Sequence, residues 1–143
     1  MAEQNYANHT RLVPGFIGLL LVILLTFIGS LVNLWHSIGD HHALYSATLI
    51  TVLTVVALFL AFFARTFALK AQDRAIRAEE NLRHFVLTGK LLDARVTIQQ
   101  IIALRFASDA EFPALAQKAA AEGQSADSIK QAVTNWRADT YRV

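Results

Sequence analysis

The sequence predicts an all-α membrane protein: a two-helix transmembrane hairpin, its second helix continuing as a cytoplasmic stalk, followed by three short helices. Three observations carry this expectation. Between Leu12 and Ala64 the only formal charge is Asp40, and the two apolar runs on either side of it each have the ~20 residues an α-helix needs to cross a bilayer. From Asp40 to Thr88 there is no Gly or Pro, so nothing interrupts a helix that starts in apolar sequence and ends among Arg, Lys, Asp and Glu. Beyond Gly89 the chain shows the capping signals and apolar spacings of short helices.

Composition agrees. Hydrophobic residues make up 55% of 143 and mean hydropathy is +0.39, too apolar for an ordinary soluble chain, with the excess concentrated before Arg65. From Arg65 onward twelve Lys and Arg stand against nine Asp and Glu, as in a water-soluble helical protein. A net charge of +2 does not by itself call for nucleic acid, and the absence of Cys removes disulfides and thiol chemistry.

Taken in order, residues 1–11 are polar. The first span covers about 12–35; its apolar core is too long and its front too weakly basic for a cleaved signal peptide, and no A-x-A site follows it. Within it Gly15, Gly18, Val22, Thr26, Gly29 and Asn33 alternate in threes and fours, which places the small and polar residues on one narrow packing face and leaves Leu, Ile and Phe for lipid. Trp35 to His42 is long enough only for a turn between antiparallel helices, and the second span covers about 43–64. The turn has no Lys or Arg, whereas Arg11 precedes the first span and Arg65, Lys70, Arg74 and Arg77 follow the second. The positive-inside rule therefore puts both termini in the cytoplasm. Trp35 and Tyr45 fall where interfacial aromatics belong.

The second helix carries a seam. Ala47, Ile50, Thr54, Ala57, Ala61, Ala64, Ala68, Ala71, Ala75, Ala78, Leu82 and Phe85 follow a heptad register, and every alanine between Ala57 and Phe85 lies on it. Small side chains let a second helix approach closely, so the seam calls for a partner: the first span inside the bilayer, and the tail helices or another copy of the chain beyond it. Residues 1–64 are thus expected to form the hairpin unit, 65–88 the stalk and 89–143 a small helical domain.

In that domain Gly89 closes the stalk and 91–96 form a connector. Thr97-Ile98-Gln99-Gln100 fits a capping box opening a helix that buries Ile98, Ile101, Ile102 and Phe106. Ser108 to Glu111 repeats the pattern ahead of a helix through Leu115, Ala116, Ala119 and Ala120, with Pro113 in or beside its first turn and Gly123 at its end. A last helix from about Ala126 is expected to present Ile129, Ala132, Val133 and Trp136. Three helices of ~40 residues in total are near the lower limit for an independent core, so they need something to lean on.

Five separated stretches, Gln4-Asn5-Tyr6-Ala7-Asn8-His9, Leu69-Lys70-Ala71-Gln72-Asp73-Arg74, Arg83 to Gly89, Ile102 to Asp109, and Asn135-Trp136-Arg137 with Arg142-Val143, together resemble a family of small bacterial membrane proteins known only as a domain of unknown function. The resemblance spans nearly the whole chain. It implies a two-span protein of the bacterial inner membrane with a cytoplasmic tail, and it implies no activity, cofactor or catalytic residue.

Ligand chemistry is concentrated in His36, Asp40, His41 and His42, a set able in principle to hold a metal ion or haem, although its spacing matches no defined motif and polar residues are what any exposed turn contains. Neither span has an ionisable residue facing a pathway, and 91–143 balances six basic against six acidic residues, which argues against transport and nucleic-acid binding. No phosphate-binding loop, H-E-x-x-H or G-x-S-x-G is present, and Glu80 with His84 reads as an ordinary i, i+4 surface pair. Trp136, Arg137, Tyr141, Arg142 and Val143 have the composition of a docking tail, against the plainer reading that Trp136 caps the core. The functional expectation is a non-enzymatic, membrane-anchored structural or accessory subunit without cofactor. It would sit in the lipid bilayer and associate with itself or with a larger membrane complex. The alternative is a redox-related or metal-binding role for the loop histidines.

Overall fold

In the computed structural model, which describes residues 4–10 and 12–139, two long helices are followed by three shorter ones: α1 Pro14–His36, α2 His41–Thr88, α3 Ile98–Leu104, α4 Phe112–Glu122 and α5 Ala126–Ala132. The chain divides into two compact units, Leu12–Ala68 and the described part of 1–11 with 69–143. The N-terminal segment and the stalk from Leu69 onward lie in the same compact unit as the tail, while Arg65 to Ala68 go with the hairpin.

In the first unit Pro14 occupies the opening turn of α1, where its missing N–H costs nothing. The Ser37 N–H and hydroxyl close the helix by donating to the Asn33 carbonyl at 3.0 and 2.8 Å. Gly39, at φ 104°, turns the chain, and Asp40 Oδ1 accepts the His42 and Ala43 N–H groups at 3.0 and 3.2 Å, capping α2. On α1 the covered line is Phe16, Leu20, Ile23, Phe27, Ser30, Leu34 and Ser37; on α2 it is Leu44, Ala47, Thr51, Thr54, Leu58, Ala61 and Arg65. Ser30 and Thr54 meet hydroxyl to hydroxyl at 3.3 Å, and the Arg65 guanidinium lies 5.6 Å from the Phe16 ring centre.

The packing of α1 differs from expectation. Gly15, Gly18, Thr26, Gly29 and Asn33 are exposed, and a Cβ added at any of the three glycines would meet nothing within 4 Å. The contacts between the two helices include small against small, at Ser30 and Thr54, and large against large, at Phe16 and Arg65. Both α1 and α2 are long and apolar enough to cross a membrane, and their most apolar stretches are only 6% and 17% buried.

In the second unit α2 runs without a break to Thr88, and Gly89 at φ 72° ends it. The capping box at α3 is formed as expected, with Gln100 N–H donating to Thr97 Oγ1 at 3.3 Å and Thr97 N–H to Gln100 Oε1 at 2.8 Å. Gln100 also donates through Nε2 to the Ala119 and Gln124 carbonyls, tying α3 to the end of α4. The second capping box does not form: α4 has no side-chain cap, and Glu111 binds Thr134 and Asn135 instead. Gly123 ends α4 in the left-handed region at φ 61°. Ser125 caps α5, which stops at Ala132, short of the expected Trp136. From Val133 the backbone is extended and reaches an antiparallel bridge between Ala107 and Trp136. The core gathers Ile76, Val96, Ile101, Leu104, Phe112, Ala116, Ala119, Ile129 and Val133 around small contacts at Ala103 and Ala107.

Thr97→Ala is expected to cost ~1 kcal/mol through loss of the cap. Ser108→Ala is expected to be neutral or mildly stabilising, because the Ser108 hydroxyl is buried without a partner. Thermal unfolding of the detergent-solubilised variants, followed by circular dichroism, checks both.

Candidate functional site

A domain as small as the tail gains stability by borrowing a face of α2, and three residues one helical turn apart supply it. Ile76, 7% exposed, enters the tail core, and Glu80, 4% exposed, and Arg83 follow it. Arg83 joins the elements: it contacts Glu80 at 3.0 Å and Asp109 at 2.7 Å, donates to the Ala107 carbonyl at 2.7 Å, and lies over the Phe112 ring at 4.5 Å. Arg137 approaches the other Glu80 oxygen at 3.6 Å. A buried carboxylate persists only when paired, and here two guanidinium groups pair it. The expected Glu80–His84 surface pair is thus corrected. His84 Nδ1 lies 2.7 Å from the Lys90 carbonyl, which makes Nδ1 the protonated nitrogen and the ring a closure for the end of α2.

The N-terminal segment docks on the same domain. Gln4 Oε1 accepts the Asp139 N–H at 2.8 Å, and the Tyr6 hydroxyl accepts from Gln131 at 3.2 Å. The His9 ring centre is 5.8 Å from Phe106 and 5.9 Å from Trp136, which are 5.0 Å from each other. Three stretches far apart in sequence thereby converge on one aromatic cluster. Trp136 donates its indole N–H to the Val133 carbonyl at 3.2 Å and serves the core, as the plainer reading held. Arg137 is exposed, and Tyr141, Arg142 and Val143 of the expected docking tail lie outside the described residues.

Along the seam Ala57 and Ala61 are half-buried, while Ala64, Ala68, Ala71, Ala75, Ala78, Leu82 and Phe85 are exposed. The tail rests on Ile76, Glu80 and Arg83, so the expectation that it covers the alanine line is corrected. Leu82 and Phe85 are 64% and 50% exposed, and Val86 beside them 75%.

His36, Asp40, His41 and His42 are all exposed, and Asp40 is engaged in capping α2. Among the described residues no group of three or more His, Cys, Asp or Glu could hold a metal ion. Among the described residues, the hollows of the tail unit include two. One, of about 90 Å³, is lined by Gln72, Ile76, Glu79, Glu80, Arg105, Arg137 and Asp139, with Glu80 and Asp139 held by arginines. The other, of about 700 Å³, is an open groove between the end of α2, the connector and α4.

Two carboxyls are shifted. The hydrogen bond from the Thr134 side chain holds Glu111 below its ordinary 4.5 against the opposing effect of burial, with the Asn135 backbone N–H adding to the lowering. Asp93 is lowered to about 2, chiefly by hydrogen bonding with the Arg95 side chain.

The family described as "Family of unknown function (DUF6526)" matches residues 1–143, and the chain belongs to it. No curated protein and no solved structure matches the chain.

Arg83→Met leaves Glu80 with only the more distant Arg137 and is expected to destabilise the tail by ~3–5 kcal/mol, with the double variant Arg83→Met/Glu80→Met recovering part of the loss. Denaturant titration reads both. Because the Glu111 carboxyl is lowered on folding, its stabilisation is present above its unfolded value and lost as pH falls through the folded one. Glu111→Gln is therefore expected to be less stable than the parent at pH 7, the gap closing as pH is lowered below 4.5.

Proposed function

We propose that this family member is a membrane-anchored structural or accessory subunit of the bacterial inner membrane, without catalysis of its own, which works by holding a small helical domain at the cytoplasmic face for assembly with other protein. The observation that carries the reading is the bare apolar surface of α1 and the first half of α2. Leu21, Val22, Leu25, Leu53, Phe59, Leu60, Phe62 and Phe67 are each more than half exposed. Soluble monomers rarely expose contiguous apolar patches beyond a few hundred Å², and hydrocarbon is the solvent that accommodates this one.

The side on which the termini lie follows from charge and connectivity. Arg65, Lys70, Arg74 and Arg77 follow the apolar part of α2, while the turn between the helices has no Lys or Arg, which favours the turn outside and the tail inside. Residues 4–10 belong to the same compact unit as the tail, and two spans return a chain to the side it left. The near-equal charge of the tail gives a phosphate backbone little to bind, so nucleic acid is left out of the reading. Support for an assembly role over an enzymatic one comes from the pairing of the carboxylates of Glu80 and Asp139 with arginines.

Alkaline carbonate extraction of bacterial membranes is expected to leave the protein in the pellet. A membrane-impermeant maleimide on intact spheroplasts is expected to label Ile38→Cys and to reach Gln117→Cys only after lysis. Release into the supernatant, or labelling of Gln117→Cys in intact spheroplasts, overturns the proposal.

A further inference from the structure

On the stalk portion of α2, Ala71, Ala75, Ala78, Leu82 and Phe85 form an exposed apolar line, on a different face from Ile76, Glu80 and Arg83, which hold the tail. Exposure alone does not say what covers such a line; the flanking charges do. With Ala75 and Leu82 at heptad position a and Ala71, Ala78 and Phe85 at d, Arg74 falls at g and Glu79 at the following e. Both side chains are exposed, and neither has an ion-pair partner among the described residues. Five residues apart, they stand on opposite flanks of the line and cannot meet along their own helix. In a parallel pair of identical helices the g residue of one chain faces the next e of the other, so Arg74 of each copy meets Glu79 of its mate. An antiparallel pair sets g against g and e against e, opposing like charges, and two copies inserted with the same topology have only the parallel choice.

We infer that the uncovered line of the stalk, through Ala71, Ala75, Ala78, Leu82 and Phe85, is the interface with a second copy of this chain, packed in parallel and held in register by reciprocal Arg74–Glu79 pairs. The inference rests on the membrane-anchored reading above and names its partner. The alanines allow close approach, Leu82 and Phe85 provide the larger apolar contacts, and the bilayer supplies what so short a zipper lacks. Co-insertion confines both stalks to one surface and one orientation, raising their effective concentration.

Because the chain has no Cys, single-cysteine variants report proximity without background. In native membranes under mild oxidation, Ala75→Cys and Leu82→Cys are expected to form disulfide-linked dimers several-fold more efficiently than Arg77→Cys, which is exposed at position c. In the Ala75→Cys background, Arg74→Glu and Glu79→Arg are each expected to reduce cross-linking several-fold and the double exchange to restore it. Cross-linking at Ala75→Cys no greater than at Arg77→Cys, or a double exchange no better than the single ones, overturns the inference. If the protein meanwhile resists carbonate extraction, the membrane-anchored reading stands and only the second copy is lost. Release by carbonate removes both.

Discussion

The tail is too small to be its own support. Helices α3, α4 and α5 contribute 7, 11 and 7 residues, and a core of that extent leaves little after the conformational entropy of ordering it. The missing surface comes from α2, whose Ile76 enters the core and whose Arg83 spans the junction. Arg83 suits this place because one planar group serves Glu80, Asp109 and the Ala107 carbonyl while its face covers Phe112. A lysine has neither the fork nor the face. The buried charge at Glu80 fixes which turn of the stalk the tail occupies, since any other register strands it.

The N-terminal segment adds a second tie. Its contacts are individually modest, yet they bring His9 onto Phe106 and Trp136, with Tyr6 stacked on His9, and so extend the aromatic pair that Phe106 and Trp136 make. The described segments before α1 and after α5 thus complete each other within one compact unit.

Helix positions were legible because they rest on local rules. The unbroken α2, its end at Gly89, the Thr97 cap, the tolerance of Pro113 and the stop at Gly123 all follow from backbone chemistry within a few residues. What escaped was set by distant residues. Ser108 and Glu111 have the right types for a capping box, but Glu111 is drawn to Thr134 and Asn135, 23 and 24 residues on. The same contact holds the chain extended after Val133 and ends the last helix early. Glu80 gave no sign of burial, since an i, i+4 histidine explains an exposed glutamate equally well. Neither Arg83 nor Asp109 announces the other from 26 residues away.

The alanine line shows how a correct register can still point to the wrong face. A 3, 4 alternation on one helix has two lines sharing every seventh residue. The reading from sequence and the observed contact line have Ala47, Thr54 and Ala61 in common, but contact takes Thr51, Leu58 and Arg65 on one flank where the alanine line takes Ile50, Ala57 and Ala64 on the other. Small residues do not choose between them, because alanine is at home both against a neighbour and on a bare helix. The choice shows in what the two helices cover: α1 half-buries Phe16, Leu20, Ile23 and Phe27, Phe16 meets Arg65, and the Ser30 hydroxyl meets that of Thr54. Gly15, Gly18 and Gly29 are left facing outward beside open space, where Gly18 and Gly29, inside the helix, carry the ~0.5–1 kcal/mol cost of glycine relative to alanine and present backbone to whatever lies beyond.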